Sequence, residues 1–543
     1  MWFKKKKSLP SVSFEEVLLD AENLGEFEQE RMEGRIEMPL SPFIFFLTAF
    51  IIGFTGIVFF VQSFMLTLKE GDKWQARAEQ NHFETVALLP PRGVFFDRFG
   101  SRLFDENRQL FSPEALSHII GFVGKDKGKG KAGLEEVFDG VLRGIDGEHS
   151  LEVDARGKII SEGIIRKPIP GKNKALTLDA ELQHVAYNVL KESIVDRGFK
   201  GGAAVIFDVT DGEILSLVSV PGYDANALGR GGPPETIEKL RADPALPFFN
   251  RAIAGRYHPG SIIKPIVAAA ALEEHVISPL DIIISEGALR VPDPYRPGEE
   301  SVFLDWKAHG PVDMRQAIAV SSNVYFYVVG GGFKNNKGLG ISRLEQWFQR
   351  FGLGSKTNIA LAGEAEGVLP DPDQKARYHP ENPEWRLGDT YHASIGQGDF
   401  LVTPLQIARA LSLIANNGTA PAFRFTLSEK NEPNNEESFS VALKDETFRV
   451  IKEGMRRAVQ EGTAAALAHV PAFVAGKTGT AEFGDKRRVH SWFMGFAPYE
   501  KPRIGMVVLL ESGPRENLVG SPYAASQIFD WIVAHRDYLK RGE

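Results

Sequence analysis

The sequence predicts an α/β protein of the segregated α+β kind, carried on a single transmembrane helix. Three observations lead there. The stretch Met38–Leu68 contains no charged residue, although 25% of the chain is charged. Strand-like apolar runs open and close the large C-terminal region while helix-like segments fill its middle, a pattern that makes an antiparallel sheet covered by helices from the middle of the chain. At 543 residues the chain is too long for one ordinary domain and can bury two cores.

Composition narrows the function classes. A hydrophobic content of 43% describes a folded chain. The formal net charge of -8 leaves no dense basic face for phosphates, so nucleic acid is not an expected partner. Cysteine is absent, which removes disulfides, thiolate nucleophiles and thiolate-ligated metals. The 12 histidines show no ligand spacing and no H-E-x-x-H, so no metal or other cofactor is expected.

The elements follow in order. Phe43–Phe60 is almost wholly apolar and approaches the roughly 20 residues a membrane span needs, which predicts a transmembrane helix over 40–68. A cleavable signal peptide fits less well, because the stretch is long, starts far from Met1 and is followed by no small-residue cleavage site. Lys4–Lys7, Arg31 and Arg35 favour a cytoplasmic segment 1–39 and place the region after Leu68 outside the inner membrane, against Lys69, Lys73 and Arg77 on the far flank.

Residues 69–168 read as a small strand-rich module. Pro90-Pro91-Arg92-Gly93 breaks the chain, Val94–Gly100 reads as strand then turn, and Lys125–Lys131 as a solvated loop. Gly171-Lys172-Asn173 reads as the linker into a large domain over 169–543. That domain opens with a helix at Ala180–Glu192 and a hairpin, Ala203–Phe207 and Ile214–Val220 around Asp211-Gly212. Strands return at Phe473–Thr480, Trp492–Phe496 and Ile504–Leu510, before a closing helix near Ala524–His535. Glu364–Gly367 and Asn431–Glu437 read as surface turns without a function.

Three short motifs carry chemistry. In Tyr257-His258-Pro259-Gly260-Ser261-Ile262-Ile263-Lys264-Pro265, the prolines and Gly260 place Ser261 at a helix start. Ser261 and Lys264 are three apart and face one way within a turn. A serine hydroxyl needs a neighbour to take its proton, and a lysine does so only when neutral. Burial and a second nearby cation both lower a lysine pKa. Alone, such a pair is more often a capping serine and a solvated lysine.

The second motif is Ser321-Ser322-Asn323 inside the apolar stretch Ala317–Gly330, where a hydroxyl and an amide stand ready to relay a proton and orient a lysine. The third is Gly476-Lys477-Thr478-Gly479-Thr480 on a strand. It is not the tail of a P-loop, whose first glycine would fall at Pro471. On a strand bordering a cleft, Lys477 supplies a cation, the Thr478 and Thr480 hydroxyls bind a carboxylate, and Gly479 lets substrate approach.

In this order the trio resembles the signature of penicillin-binding proteins and class A β-lactamases. The resemblance extends to class B penicillin-binding proteins through Pro91-Arg92-Gly93 with Asp97-Arg98 and Gly100, Gly133-Leu134-Glu135 with Leu142-Arg143-Gly144, and Leu176-Thr177-Leu178-Asp179 with Leu182-Gln183. Trp385 with Gly388-Asp389-Thr390, Ser394–Gly398 and Thr403-Pro404-Leu405-Gln406 resemble the elongation-type branch, that of penicillin-binding protein 2. The long pedestal insertion usual in that family is almost absent between Arg102 and His118, and no segment resembles a glycosyltransferase domain.

The resemblance implies a peptidoglycan D,D-transpeptidase whose donor is a stem peptide ending in D-Ala-D-Ala and which β-lactams acylate. By it, Lys264 deprotonates Ser261, Ser321 passes the proton to the leaving amine and Asn323 orients Lys264. Lys477 and Thr478 hold the terminal carboxylate, Gly479 and Thr480 complete the substrate-binding edge, and the backbone N–H groups of Ser261 and Thr480 hold the oxyanion. A membrane-embedded glycosyltransferase of the SEDS family is the implied partner. The alternatives are a D,D-carboxypeptidase, a β-lactamase, for which no deacylation base is identified, and a β-lactam sensor or non-catalytic scaffold for a glycosyltransferase.

Overall fold

The computed structural model describes residues 42–74, 83–124, 128–153, 159–229, 234–293, 296–427, 438–484, 487–516 and 520–540. The expected cytoplasmic segment 1–39, the flanking Arg77, the whole of Asn431–Glu437, and residues 125–127 of the expected loop lie outside them.

Two compact units make up the chain. The first, Met1–Val86 with Ser150–Gly163, holds helix α1 (Pro42–Leu68) and parts of β1 (Phe83–Leu88), β2 (Gly147–Val153) and β3 (Ile159–Arg166), three strands in the order β1-β2-β3. With 27 residues, α1 is about 40 Å long at 1.5 Å per residue, enough for a bilayer core with some tilt. None of its side chains is buried. Its threonines return their hydroxyls to the helix backbone, Thr48 to Ile44 O at 2.7 Å, Thr55 to Ile51 O at 2.6 Å and Thr67 to Ser63 O at 2.7 Å, which satisfies those groups within the helix itself.

The second unit, Ala87–His149 with Ile164–Glu543, contains a five-stranded antiparallel sheet. Helix α2 (Ala180–Arg197) starts because Asp179 caps it, accepting from Glu181 N and Leu182 N, and stops at Gly198 in the left-handed region (φ 67). The hairpin β4 (Gly201–Asp208) and β5 (Ile214–Val220) follows. After helices α3 (Lys264–Glu273), α4 (Met314–Val320), α5 (Asn323–Gly331), α6 (Pro404–Ala415) and α7 (Asp445–Gln460) come β6 (Ala475–Phe483), β7 (Arg488–Ala497), β8 (Ile504–Pro514) and α8 (Ser521–His535). The sheet order is β6-β7-β8-β4-β5, so the first hairpin pairs with the last strand and β6 is an edge.

Alternation along the strands sorts two cores. Ala204, Ile206, Leu215, Val218, Phe493, Val508 and Leu510 face α2 and α8, which contribute Leu182, Leu190, Ile528 and Phe529. Ala203, Val205, Phe207, Trp492, Met494, Val507 and Leu509 join the other core with Ile266, Phe326 and Leu411. The middle helices therefore cover mainly one face, with only Ala319 of α4 and Ala458 and Val459 of α7 among those named reaching the other core, and the first and last helices of the domain cover that other face. Fully burying each of the valine, leucine, isoleucine, methionine and phenylalanine side chains is worth roughly 1.5–3 kcal/mol.

The expected linker is a packed joint. A Cβ on Gly171 would lie 1.8 Å from Leu142 O, and Asn173 Oδ1 accepts from Val94 N at 2.9 Å. The surface turn at Glu364 is bonded too: its carboxylate accepts from Thr357 N and Oγ1 and from Asn358 N at 2.6–2.9 Å, a brace for the Gly354–Asn358 loop.

Candidate active site

Ser261 sits on a single 3₁₀ turn, Gly260–Ile263, that runs into α3. Three neighbours hold the turn. Gly260 takes a left-handed φ of 56 and donates its N–H to Gly396 O at 2.9 Å. Trp492 Nε1 on β7 donates to His258 O at 3.0 Å, and Tyr257 exchanges two backbone bonds of 2.9 Å with Val402. Edge strand β6 lies against the same turn so closely that a Cβ on Gly479 would meet Pro259 O at 3.0 Å, and one on Gly260 would meet Thr480 O at 2.8 Å. Only glycine fits at either place.

Lys264 opens α3 and is wholly buried. Its Nζ donates to Ser321 O at 2.8 Å, Ser321 Oγ at 3.3 Å and Asn323 Oδ1 at 2.8 Å, and lies 5.5 Å from the centre of the Phe326 ring. Burial brings its pKa down from 10.5 to about 7, against the opposing charge of Asp305. Lys477 on β6 is equally buried and is pushed well below the ordinary lysine range, first by burial and then by the charge of Lys264. Its Nζ donates to Thr478 O at 2.9 Å. Among the described residues the Ser261 hydroxyl has no hydrogen-bond partner.

The Ser321–Asn323 motif is a corner between two helices rather than a stretch within one. Ser321 ends α4 in the left-handed region (φ 61, ψ 41), a conformation costing roughly 1–2 kcal/mol outside glycine. Ser322 then caps α5, accepting from Tyr325 N. The corner turns Ser321 O and the Asn323 side chain toward Lys264, which a continuous helix could not do with both groups.

These features set a buried lysine of lowered pKa one turn from a serine on a tight turn, next to an open sheet edge that carries the exposed Thr480. Over residues 202–533 the chain matches the penicillin binding protein transpeptidase domain, and over 104–176 the penicillin-binding protein dimerisation domain. The chain belongs to the penicillin-binding proteins.

Peptidoglycan D,D-transpeptidase MrdA of Acinetobacter baumannii is 32% identical over 466 residues, 78% of this chain and 66% of that relative. MrdA of Haemophilus influenzae is 31% identical over 498 residues, 83% of this chain and 73% of the relative. The solved structure described as structural coordination of polymerization and crosslinking by a peptidoglycan synthase complex gives a TM-score of 0.71 at 26% identity, over 92% of this chain and 99% of that one. This penicillin-binding protein is a class B, elongation-type, membrane-anchored peptidoglycan D,D-transpeptidase of cell-wall synthesis.

The fold of this penicillin-binding protein brings Lys264, Ser321 and Asn323 into direct contact, sets Lys477 close enough to Lys264 for their charges to interact, and packs Gly479 and Thr480 against the Ser261 turn. Thr478 is held from outside the motif: its Oγ1 donates to Thr463 Oγ1, just past α7, at 2.7 Å. Sequence reasoning missed two groups. Thr463 carries no local signature. Asp305, whose carboxylate reaches the corner, lies between Leu304 and Trp306, which are exposed while the acid between them is buried. That inversion of ordinary patterning is a readable signal only once a strand is known to run there.

Proposed function

We propose that this transpeptidase works through an acyl-enzyme on Ser261. The observation carrying the reading is Lys264: buried, with a pKa near neutrality, one turn from Ser261 and bonded to both functional members of the Ser321–Asn323 corner. As an ammonium, Lys264 donates three bonds. As an amine it keeps two, to Ser321 O and Asn323 Oδ1, and a lone pair is left for the Ser261 proton.

In acylation the Ser261 Oγ attacks the carbonyl of the penultimate D-Ala, and Lys264 takes the hydroxyl proton. The oxyanion is held by the N–H groups of Ser261 and Thr480, each worth roughly 3–4 kcal/mol in such a site. The peptide C–N bond breaks as the proton passes through Ser321 to the leaving D-Ala amine. An amine of a neighbouring stem then attacks the ester carbonyl and gives its proton to Lys264; the ester C–O bond breaks, and Lys264 returns the proton to the Ser261 Oγ. Lys477 and Thr478 hold the terminal carboxylate, with Gly479 allowing the close approach. β-Lactams acylate the same serine.

The same reading places residues 1–39 inside the cell, α1 across the inner membrane, a shortened pedestal over 69–168 and the transpeptidase domain over 169–543 outside. It makes a SEDS-family glycosyltransferase the membrane partner. The likeness to a chain from a peptidoglycan synthase complex supports a partner that polymerises glycan.

Intact-mass and peptide mapping of the full chain in detergent with benzylpenicillin tests the site. A slowly released adduct on Ser261, absent from Ser261→Ala, is expected. A folded wild type that forms none overturns the assignment.

A further inference from the structure

Asp305 has no part in the scheme above, yet it is the most heavily bonded carboxylate near Lys264. Its Oδ1 accepts from Trp306 N and Asn323 N, both at 2.9 Å. Its Oδ2 accepts from Ser285 Oγ at 2.9 Å, Ser322 Oγ at 2.8 Å and Val324 N at 3.0 Å. Five bonds to one carboxylate draw on three separate segments, and three of them end on consecutive residues, Ser322, Asn323 and Val324. Because Asn323 and Val324 open α5, the carboxylate also sits at the positive end of that helix. Hydrogen bonds to an ionised acceptor are about twice as strong as neutral ones.

The neighbours of Asp305 continue the grip. Leu304 O accepts from Asn323 Nδ2 at 3.4 Å and from Tyr327 OH at 3.2 Å, and Trp306 Nε1 donates to Val320 O at 3.2 Å. The segment Leu304–Trp306 therefore splints the corner from Val320 to Val324. We propose that Asp305 is a positioning residue for acylation: it clamps the Ser321–Asn323 corner so that Ser321 O and Asn323 Oδ1 meet Lys264 Nζ. This rests on the Ser261–Lys264 reading given above.

Two facts make the clamp more than a helix cap. Asn323 donates its backbone N–H to Asp305 and accepts from Lys264 on its side chain, so a shift of one end moves the other. Ser321, left-handed and strained, is flanked by the α4 end on one side and the clamped Ser322–Val324 on the other, and its bonds from Lys264 Nζ depend on where those two segments hold it. Burial pushes the Asp305 carboxyl upward, but the bonds from Asn323, Val324 and Ser322 and the charge of Lys264 outweigh it and hold it below the ordinary range. The clamp is thus ionised wherever Lys264 titrates. His309, with Nε2 3.6 Å from Oδ1, Lys307 and Tyr327 also face this pocket, and Lys477 faces Lys264 from β6.

The experiment is the rate of benzylpenicillin acylation of the full chain in detergent, from pH 5.5 to 9, for wild type and Asp305→Asn. Asparagine keeps the shape but cannot accept all five bonds and carries no charge. Acylation is expected to fall on the order of 10–100-fold, the cost of a small misplacement. The pH of half-maximal rate is expected to move downward, because the charge lost is the one that holds the Lys264 proton. General destabilisation lowers the active fraction without moving that midpoint. If Asp305→Asn does not fold, Ser322→Ala keeps the carboxylate and removes one link to the corner; a lower rate constant for the sites that acylate, at full final adduct yield and an unmoved midpoint, is then expected, whereas destabilisation lowers the yield. Either variant acylating like wild type, with the same midpoint, overturns the clamp. A wild type without a Ser261 adduct instead overturns the underlying site assignment.

Discussion

Acylation by this protein should depend on pH through Lys264, and the size of the effect follows from its burial. Moving Lys264 from 10.5 to about 7 represents roughly 5 kcal/mol of differential interaction between its protonation states. With a value near 7, about a tenth of the lysine is neutral at pH 6 and about nine tenths at pH 8. The second-order rate constant for benzylpenicillin on Ser261 should therefore rise roughly tenfold between pH 6 and pH 8 and flatten above that. A lysine at its ordinary value would instead give about a hundredfold rise over the same interval and keep climbing to pH 10. Stopped-flow mixing with a fluorescent penicillin, with the product mapped to Ser261, separates the two. A rate constant flat from pH 6 to pH 9, or one still rising tenfold per pH unit at pH 9, would refute the role given to burial.

The same burial has a stability signature. Between about 7 and 10.5 the unfolded chain binds the Lys264 proton and the folded chain does not, so folding stability from this group rises with pH over that window. Lys264→Met should accordingly gain most over wild type near pH 7 and lose its advantage toward pH 10, as read from thermal unfolding, less about 1–3 kcal/mol for the acceptors left unpaired. Gly396→Ala should cripple the site, since Gly396 has a φ of 77 and an added Cβ would lie 2.2 Å from Gly260 O. The expected result is acylation reduced on the order of 100-fold, with a drop of a few degrees in Tm; a variant acylating within twofold of wild type would show that the turn tolerates displacement.

Much of this protein was legible along the chain because the relevant physics is local or periodic. The membrane helix shows in an uninterrupted apolar run, and α2 begins where Asp179 and ends where Gly198 supply cap chemistry. The strands show in apolar runs bounded by turns. The first short motif puts Ser261 and Lys264 about one helical turn apart by spacing alone. What the tertiary structure decided is everything that joins distant segments. The Ser321 corner depends on a backbone conformation that serine does not prefer by itself and adopts because neighbours hold it. The Lys264 value depends on full burial, which no sequence window measures. Asp305 is 18 residues from Asn323 and Thr463 is 15 from Thr478, separations at which residue identity carries no information about contact. Chain order also hides that β8 pairs with β4, because antiparallel pairing is set by which apolar faces must be covered together and not by proximity along the sequence.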